Sequence, residues 1–238
     1  MESMESGVAL VGVSAGAFRL LNAGLERLAP SPARGNPWKW RNLWTSLAHS
    51  LLSSAGALLG FALHPSMAQD LIEGHPPASH RLLGVSLGYF LQDFVDMASN
   101  QTLQQCWELL FHHSVVIVCF GFAFLTGRFV GFAMVALLVE VNSVFLHLRS
   151  LLRMAGKAPG AASYRLTRLL NLGTYLVFRI STLAWMTRWL VLHREVVPTG
   201  PYALSLVGMS IMMPMNIILF CRLLRSDFLA SGQREKDK

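Results

Sequence analysis

Charge is what this sequence has least of. Asp, Glu, Lys and Arg make up 14% of its 238 residues, against about 25% in a soluble globular domain. That shortage leaves no room for a soluble second domain beside the apolar part. Cysteine is scarce as well. Cys106, Cys119 and Cys221 are the three present, with no Cys-x-x-Cys among them, so neither a disulfide framework nor a thiolate metal site is expected. Histidine comes as one adjacent pair, His112-His113, and scattered singles. A membrane di-iron centre needs several paired boxes, so no metal site is expected from imidazole either. A serine or cysteine hydrolase is not expected. The net charge is +7, but the basic residues sit in short loops beside apolar runs. There they orient membrane spans and face anionic lipid, which points to lipid partners and not to nucleic acid.

What the chain has is hydrophobicity: 53% of its residues, at a mean hydropathy of +0.45. The periodicity predicts an all-α, polytopic transmembrane bundle of about seven spans, at 8–25, 42–63, 82–98, 103–125, 129–148, 169–192 and 201–224. Such lengths suit roughly 30 Å of hydrocarbon. Gly56 and Gly60 form a small-xxx-small pair on the second span, which also carries Asn42, Thr45 or Ser46, His49 and Ser53 on one face. Trp38-Lys39-Trp40 reads as an interfacial anchor. Three units follow: a first span with its loop at 1–33, the main domain at 34–228, and a short cytoplasmic tail at 229–238. Placing the N-terminus outside puts most of the twenty Lys and Arg residues in cytoplasmic loops, as the positive-inside rule requires.

The polar exceptions are concentrated. Tyr89, Asp93, Asp96, Glu108, His112, His113, Glu140 and His147 fall in three successive apolar segments. An ionisable group at bilayer depth costs about 2.5 kcal/mol or more, so it faces the bundle interior and tends to be functional. Tyr89, Asp93 and Asp96 are spaced i, i+4, i+7; Glu108 and His112 are i, i+4; Glu140, Ser143 and His147 are i, i+3, i+7. Each set shares a helix face. The expectation is one buried polar cluster, with pairing that merely holds the bundle together as the plainer alternative. His112 should face the cluster and His113 a neighbouring helix, since adjacent residues diverge by about 100°. Arg179, in the sixth span, stays charged when buried and is expected beside Glu140, Asp93 or Asp96. Such a centre suits acyl transfer by a buried histidine, or a lipid cavity without chemistry.

Three strings carry a resemblance: Gly88-Tyr89-Phe90-Leu91-Gln92-Asp93-Phe94-Val95-Asp96, Trp107-Glu108-Leu109-Leu110-Phe111-His112-His113, and Leu138-Val139-Glu140-Val141-Asn142-Ser143. They resemble the TLC domain, named for the TRAM, Lag and CLN proteins. The detail around Trp38 to Ser50 and Leu223 to Phe228 is similar to small TLC-domain-containing proteins of the calfacilitin type. The resemblance to ceramide synthases would imply acyl transfer from coenzyme A, with His112 and His113 as catalytic residues. Those enzymes carry an Asp-x-x-Asp one helix after the His pair; here the place reads Glu140-Val141-Asn142-Ser143. The calfacilitin-type resemblance implies something else: regulation of membrane phospholipid composition and fluidity, limiting incorporation of polyunsaturated acyl chains, without a cofactor or an assigned catalytic activity, at the plasma membrane more than the endoplasmic reticulum. Acyl-CoA enters as a cofactor only under the acyltransferase alternative.

Overall fold

The computed structural model describes residues 4–28, 30–158 and 160–226. The stretch expected to be a cytoplasmic tail, 229–238, lies outside them. Among the described residues nine α-helices form an antiparallel bundle with no strand. The helices are α1 (Met4–Leu25), α2 (Pro37–Leu63), α3 (Pro77–Asn100), α4 (Leu103–Thr126), α5 (Val130–Leu137), α6 (Glu140–Met154), α7 (Ala162–Thr174), α8 (Ser181–Leu192) and α9 (Thr199–Leu224). A π-helical turn, Tyr175–Ile180, joins α7 to α8. The result is seven membrane-length rods, because α5 continues into α6 and α7 into α8. Five of the rods are long and apolar enough throughout to cross a bilayer: Glu5–Leu28, Pro37–Leu63, Leu103–Thr126, Val130–Met154 and Thr199–Leu224.

Local chemistry explains the ends. Asn36 accepts a hydrogen bond from the Lys39 backbone N–H at 2.9 Å, and Pro37 opens α2, where its missing N–H costs nothing. Pro77 opens α3 in the same way. Gly127, at φ 63°, closes α4 in the left-handed conformation that favours glycine. The His80 ring lies 2.8 Å from the Phe124 carbonyl, one of the groups the end of α4 leaves unpaired. The start of α5 is stopped by the 64–76 loop: the Phe129 and Phe132 N–H groups donate to the carbonyls of Ile72 and Leu71 at 2.7 and 3.1 Å.

Lipid tails are as apolar as leucine, so burial alone does not join helices in a membrane; close packing and hydrogen bonds do. Small residues supply the closeness. A Cβ on Gly88 would sit 2.5 Å from the Val11 carbonyl, so α1 and α3 meet nearly backbone to backbone, and Ser14 Oγ donates to the Val85 carbonyl across that seam at 2.8 Å. The expected Gly56–Gly60 pair works likewise. Their faces receive Leu82 of α3 and Met134 of α5. Leu83, Leu87, Phe90, Phe120, Phe124, Val130 and Met134 fill the apolar core between α3, α4 and α5.

Two irregularities interrupt the rods. Between α5 and α6 the Leu138, Val139 and Val141 N–H groups bond three residues back at 3.1 Å, a tightened turn without proline or glycine. It delivers Glu140 to the start of α6. The π turn carries Tyr175 and Arg179, both buried. π-Bulges recur at functional sites, and both irregularities here border the same polar interior.

Candidate functional site

That interior is a buried polar cluster bordered by α2, α3, α4, α6 and the π turn. From α2 come Asn42, Ser46, His49 and Ser50, a single helical face, all buried. Asn42 Nδ2 donates to Asp93 Oδ1. His113 Nε2 lies 3.0 Å from Asp93 Oδ2, so both carboxylate oxygens are engaged. Tyr89 Oη donates to Ser46 Oγ at 2.9 Å, and Ser50 Oγ donates to Glu140 at 2.7 Å. His147, also on α6, lies within charge–charge range of Glu140, Arg179, Asp93 and His49. Tyr89, Asp93, His113, Glu140 and His147 therefore gather in one region, with Arg179 at its far wall.

Three expectations need correction. Asp96 faces away from the cluster. One turn beyond Asp93, it accepts from Trp38 Nε1 at 2.8 Å and pairs with Arg41 at 3.4 Å, because the last turn of α3 lies against the start of α2. Glu108 also leaves the cluster: it binds Arg222 of α9 through two hydrogen bonds, 2.6 and 2.8 Å. The pair is half exposed, with side chains 44% and 58% accessible, so an exposed cation on the facing helix takes Glu108 in place of His112. Arg179, finally, has no carboxylate within 4 Å among the described residues. Its guanidinium donates to Ser143 Oγ at 2.7 Å and Asn216 Oδ1 at 2.9 Å and lies 5.3 Å from the Tyr175 ring centre. Neutral oxygens and an aromatic face stand in for an acid. Tyr175 Oη completes the group by donating to the Asn216 carbonyl at 2.8 Å.

The two central histidines divide as expected for one of them. His113 reaches α3. Its other nitrogen, Nδ1, lies 2.8 Å from the Leu109 carbonyl. A carbonyl only accepts, so Nδ1 carries a proton, and Nε2 is held against Asp93. Neither nitrogen offers a lone pair to a substrate. His112 keeps its ring 5.6 Å from that of His113, is half-buried, and reads as the accessible member.

His49 is the residue that charge-focused reading passed over. It is fully buried and stacked on Tyr89 at 3.9 Å, with Phe18 and Phe90 edge-on at 6.0 and 5.1 Å. Both of its nitrogens lack a hydrogen-bond partner among the described residues. The signal is present in the sequence as the polar face of α2, on which His49 lies with Asn42, Ser46 and Ser53. The string Gly12-Val13-Ser14-Ala15-Gly16 matches the pattern of a hydrolase nucleophile turn. It lies in the middle of α1, and Ser14 is engaged with Val85, so it supports no such site. No group of three potential metal ligands occurs among the described residues.

A bundle of apolar rods around a buried polar cluster defines a multi-pass membrane protein. The sequence pattern of the TLC domain matches residues 39–225. The chain is 55% identical to TLC domain-containing protein 2 of Danio rerio, over 98% of this chain and 95% of the relative. It is 46% identical to TLC domain-containing protein 2 of Homo sapiens, over 95% and 86%. It is 37% identical to TLC domain-containing protein 1 of Gallus gallus, over 94% and 89%. This chain belongs to the TLC domain family. No solved structure matches it.

Proposed function

We propose that this protein regulates membrane phospholipid composition and fluidity by binding lipid at the buried polar cluster, limiting the incorporation of polyunsaturated acyl chains, at the plasma membrane. Family membership supports the lipid. The closed hydrogen bonding of His113 carries the choice of binding over turnover: Leu109 and Asp93 occupy both ring nitrogens, so this ring lacks the free lone pair that acyl transfer requires. Ser143 points the same way. It stands where the ceramide synthase pattern has an acid, and its hydroxyl is bound to Arg179. An apolar crevice of about 100 Å³, between α4, α5, α8 and α9 and lined by Val116, Phe120, Phe132, Met186, Met209 and Met212, offers a place for hydrocarbon.

The test is lipidomic. Cells lacking the protein should incorporate more polyunsaturated acyl chains into phospholipid, and re-expression should reverse the change. Unaltered profiles would reject the reading.

One observation favours a second reading, a lipid acyltransferase. His49 and His112, unlike His113, have rings with no hydrogen bond to another residue among those described, so either could act as base. Acyl-CoA-dependent product formation by purified protein, lost in His112→Ala or His49→Phe, would establish it.

A further inference from the structure

An opening lies apart from the polar cluster, at the end of the bundle where α1 and α3 finish and α2 begins. It is a cavity of about 470 Å³ whose lining includes Gly16, Arg19, Asn22, Arg41, Gln92 and Asp96. Trp38 and Lys39 stand at the same end, which sets it at headgroup depth.

Its polar groups are unevenly spent. Asp96 is fully engaged, by Trp38, Asn100 and Arg41. The donors are not. Asn22 is 2% exposed; its Oδ1 accepts from Arg41 at 2.6 Å, yet its Nδ2 has no hydrogen-bond partner among the described residues. Arg41 Nε is buried and unpartnered too. Arg19 makes no ion pair within 4 Å among the described residues, though it lies within charge–charge range of Asp96. It is an exposed cation in the last two turns of α1, at the depth where a guanidinium meets lipid phosphate. Arg41 is received by Asp96 at 3.4 Å and Glu26 at 4.0 Å, whereas Arg19 and the Asn22 Nδ2–H border the same space with no acceptor within bonding distance among the described residues. The lateral walls, Leu91 and Val95, are exposed and apolar, so the space opens toward lipid tails as well as toward water.

The geometry points to a phospholipid headgroup site here: the phosphodiester accepts hydrogen bonds from Arg19, Arg41 and Asn22, while the acyl chains lie along Leu91 and Val95. Charge-assisted bonds from planar guanidinium suit this anion. The site is separate from the polar cluster, and its test does not depend on whether that cluster acts on lipid composition.

The test measures binding to the purified full-length protein in detergent. The probes are dihexanoyl phosphatidylcholine, dihexanoylglycerol with the same chains and no phosphate, and inorganic phosphate. The phospholipid should bind at least about tenfold more tightly than either of the others, the size expected of charge-assisted hydrogen bonds. Arg19→Gln, on an exposed side chain, should lose about tenfold. Gly16→Leu should block binding, since Gly16 lines the cavity and a side chain there meets no protein atom within 4 Å. Equal binding of dihexanoylglycerol, or phospholipid binding unaffected in both variants, would overturn the proposal. Inorganic phosphate binding as tightly as the lipid would overturn it in favour of a soluble anion.

Discussion

Asp93 and His113 hold one proton between two helices. The carboxylate receives Asn42 on one oxygen and the ring on the other, and the ring's far side is fixed by Leu109. Breaking a buried pair by removing one partner costs about 3–5 kcal/mol, whereas replacing both with apolar groups is often neutral. Asp93→Leu or His113→Phe alone should thus lower the thermal midpoint in detergent sharply, and the double substitution should recover most of the loss. Additive losses, measured by fluorescence-detected size exclusion on heating, would contradict this.

His49 separates architecture from ligand binding. His49→Phe keeps the stack on Tyr89 and removes the two unpartnered nitrogens. The protein should express and melt as the wild type or slightly higher, because unsatisfied buried polar atoms cost about 1–3 kcal/mol. Its effect on cellular phospholipid composition should disappear. A variant that melts normally and keeps the full lipid effect would exclude His49 from the site.

Ser143→Asp tests the account of Arg179. The substitution puts a carboxylate where a hydroxyl now accepts at 2.7 Å. Hydrogen bonds to charged partners are stronger by about 1 kcal/mol or more, so the thermal midpoint should rise in wild type. In an Arg179→Gln background the same change should lower it. Destabilisation in both backgrounds would mean that Arg179 is already satisfied.

The 64–76 loop should loosen in acid. Burial pushes the His75 imidazole below its usual 6.5, with His80 adding to the effect. Its neutral form is the native one, so its contribution is complete above pH 6.5 and fades as pH falls below that value. The Glu73 backbone N–H, followed by those of Ile72 and Gly74, holds the Asp70 carboxyl below its usual 3.8. That contribution is complete above pH 3.8 and is lost at lower pH. Proteolysis of the loop in proteoliposomes should therefore increase on acidification from pH 7 to 5. His75→Phe should flatten the response over that range, and an unchanged slope in that variant would assign it elsewhere.

The rods were legible because lipid imposes a simple rule: long apolar runs between basic, proline-rich loops. The starts of α2 and α3 were read a few residues late, since Pro37 and Pro77 open helices as readily as they break them. The interruptions at Leu138–Val139 and Tyr175–Ile180 had no signal, as neither contains proline or glycine. Spacing along one helix grouped Tyr89 with Asp93, and Glu140 with His147. It failed for Asp96 and Glu108, whose partners, Arg41, Trp38 and Arg222, sit on other helices. A helix-face argument fixes direction but not which neighbour waits there. His49 was missed for a related reason, because a neutral ring among serines does not stand out by charge.

The seam between α1 and α3 has a consequence for how the protein is made. Ser14 and the Val85 carbonyl it binds are separated by 71 residues of chain. During synthesis α1 enters the bilayer well before the glycine face it needs has left the ribosome. Until Gly84 and Gly88 arrive, α1 has only its contacts with α2, and Arg19 has no settled neighbour. The first helix is therefore held by its own hydropathy early and by backbone fit late. Bulk at Gly88 would act during assembly, yielding chains that insert with every span intact and are then cleared by quality control before the bundle closes.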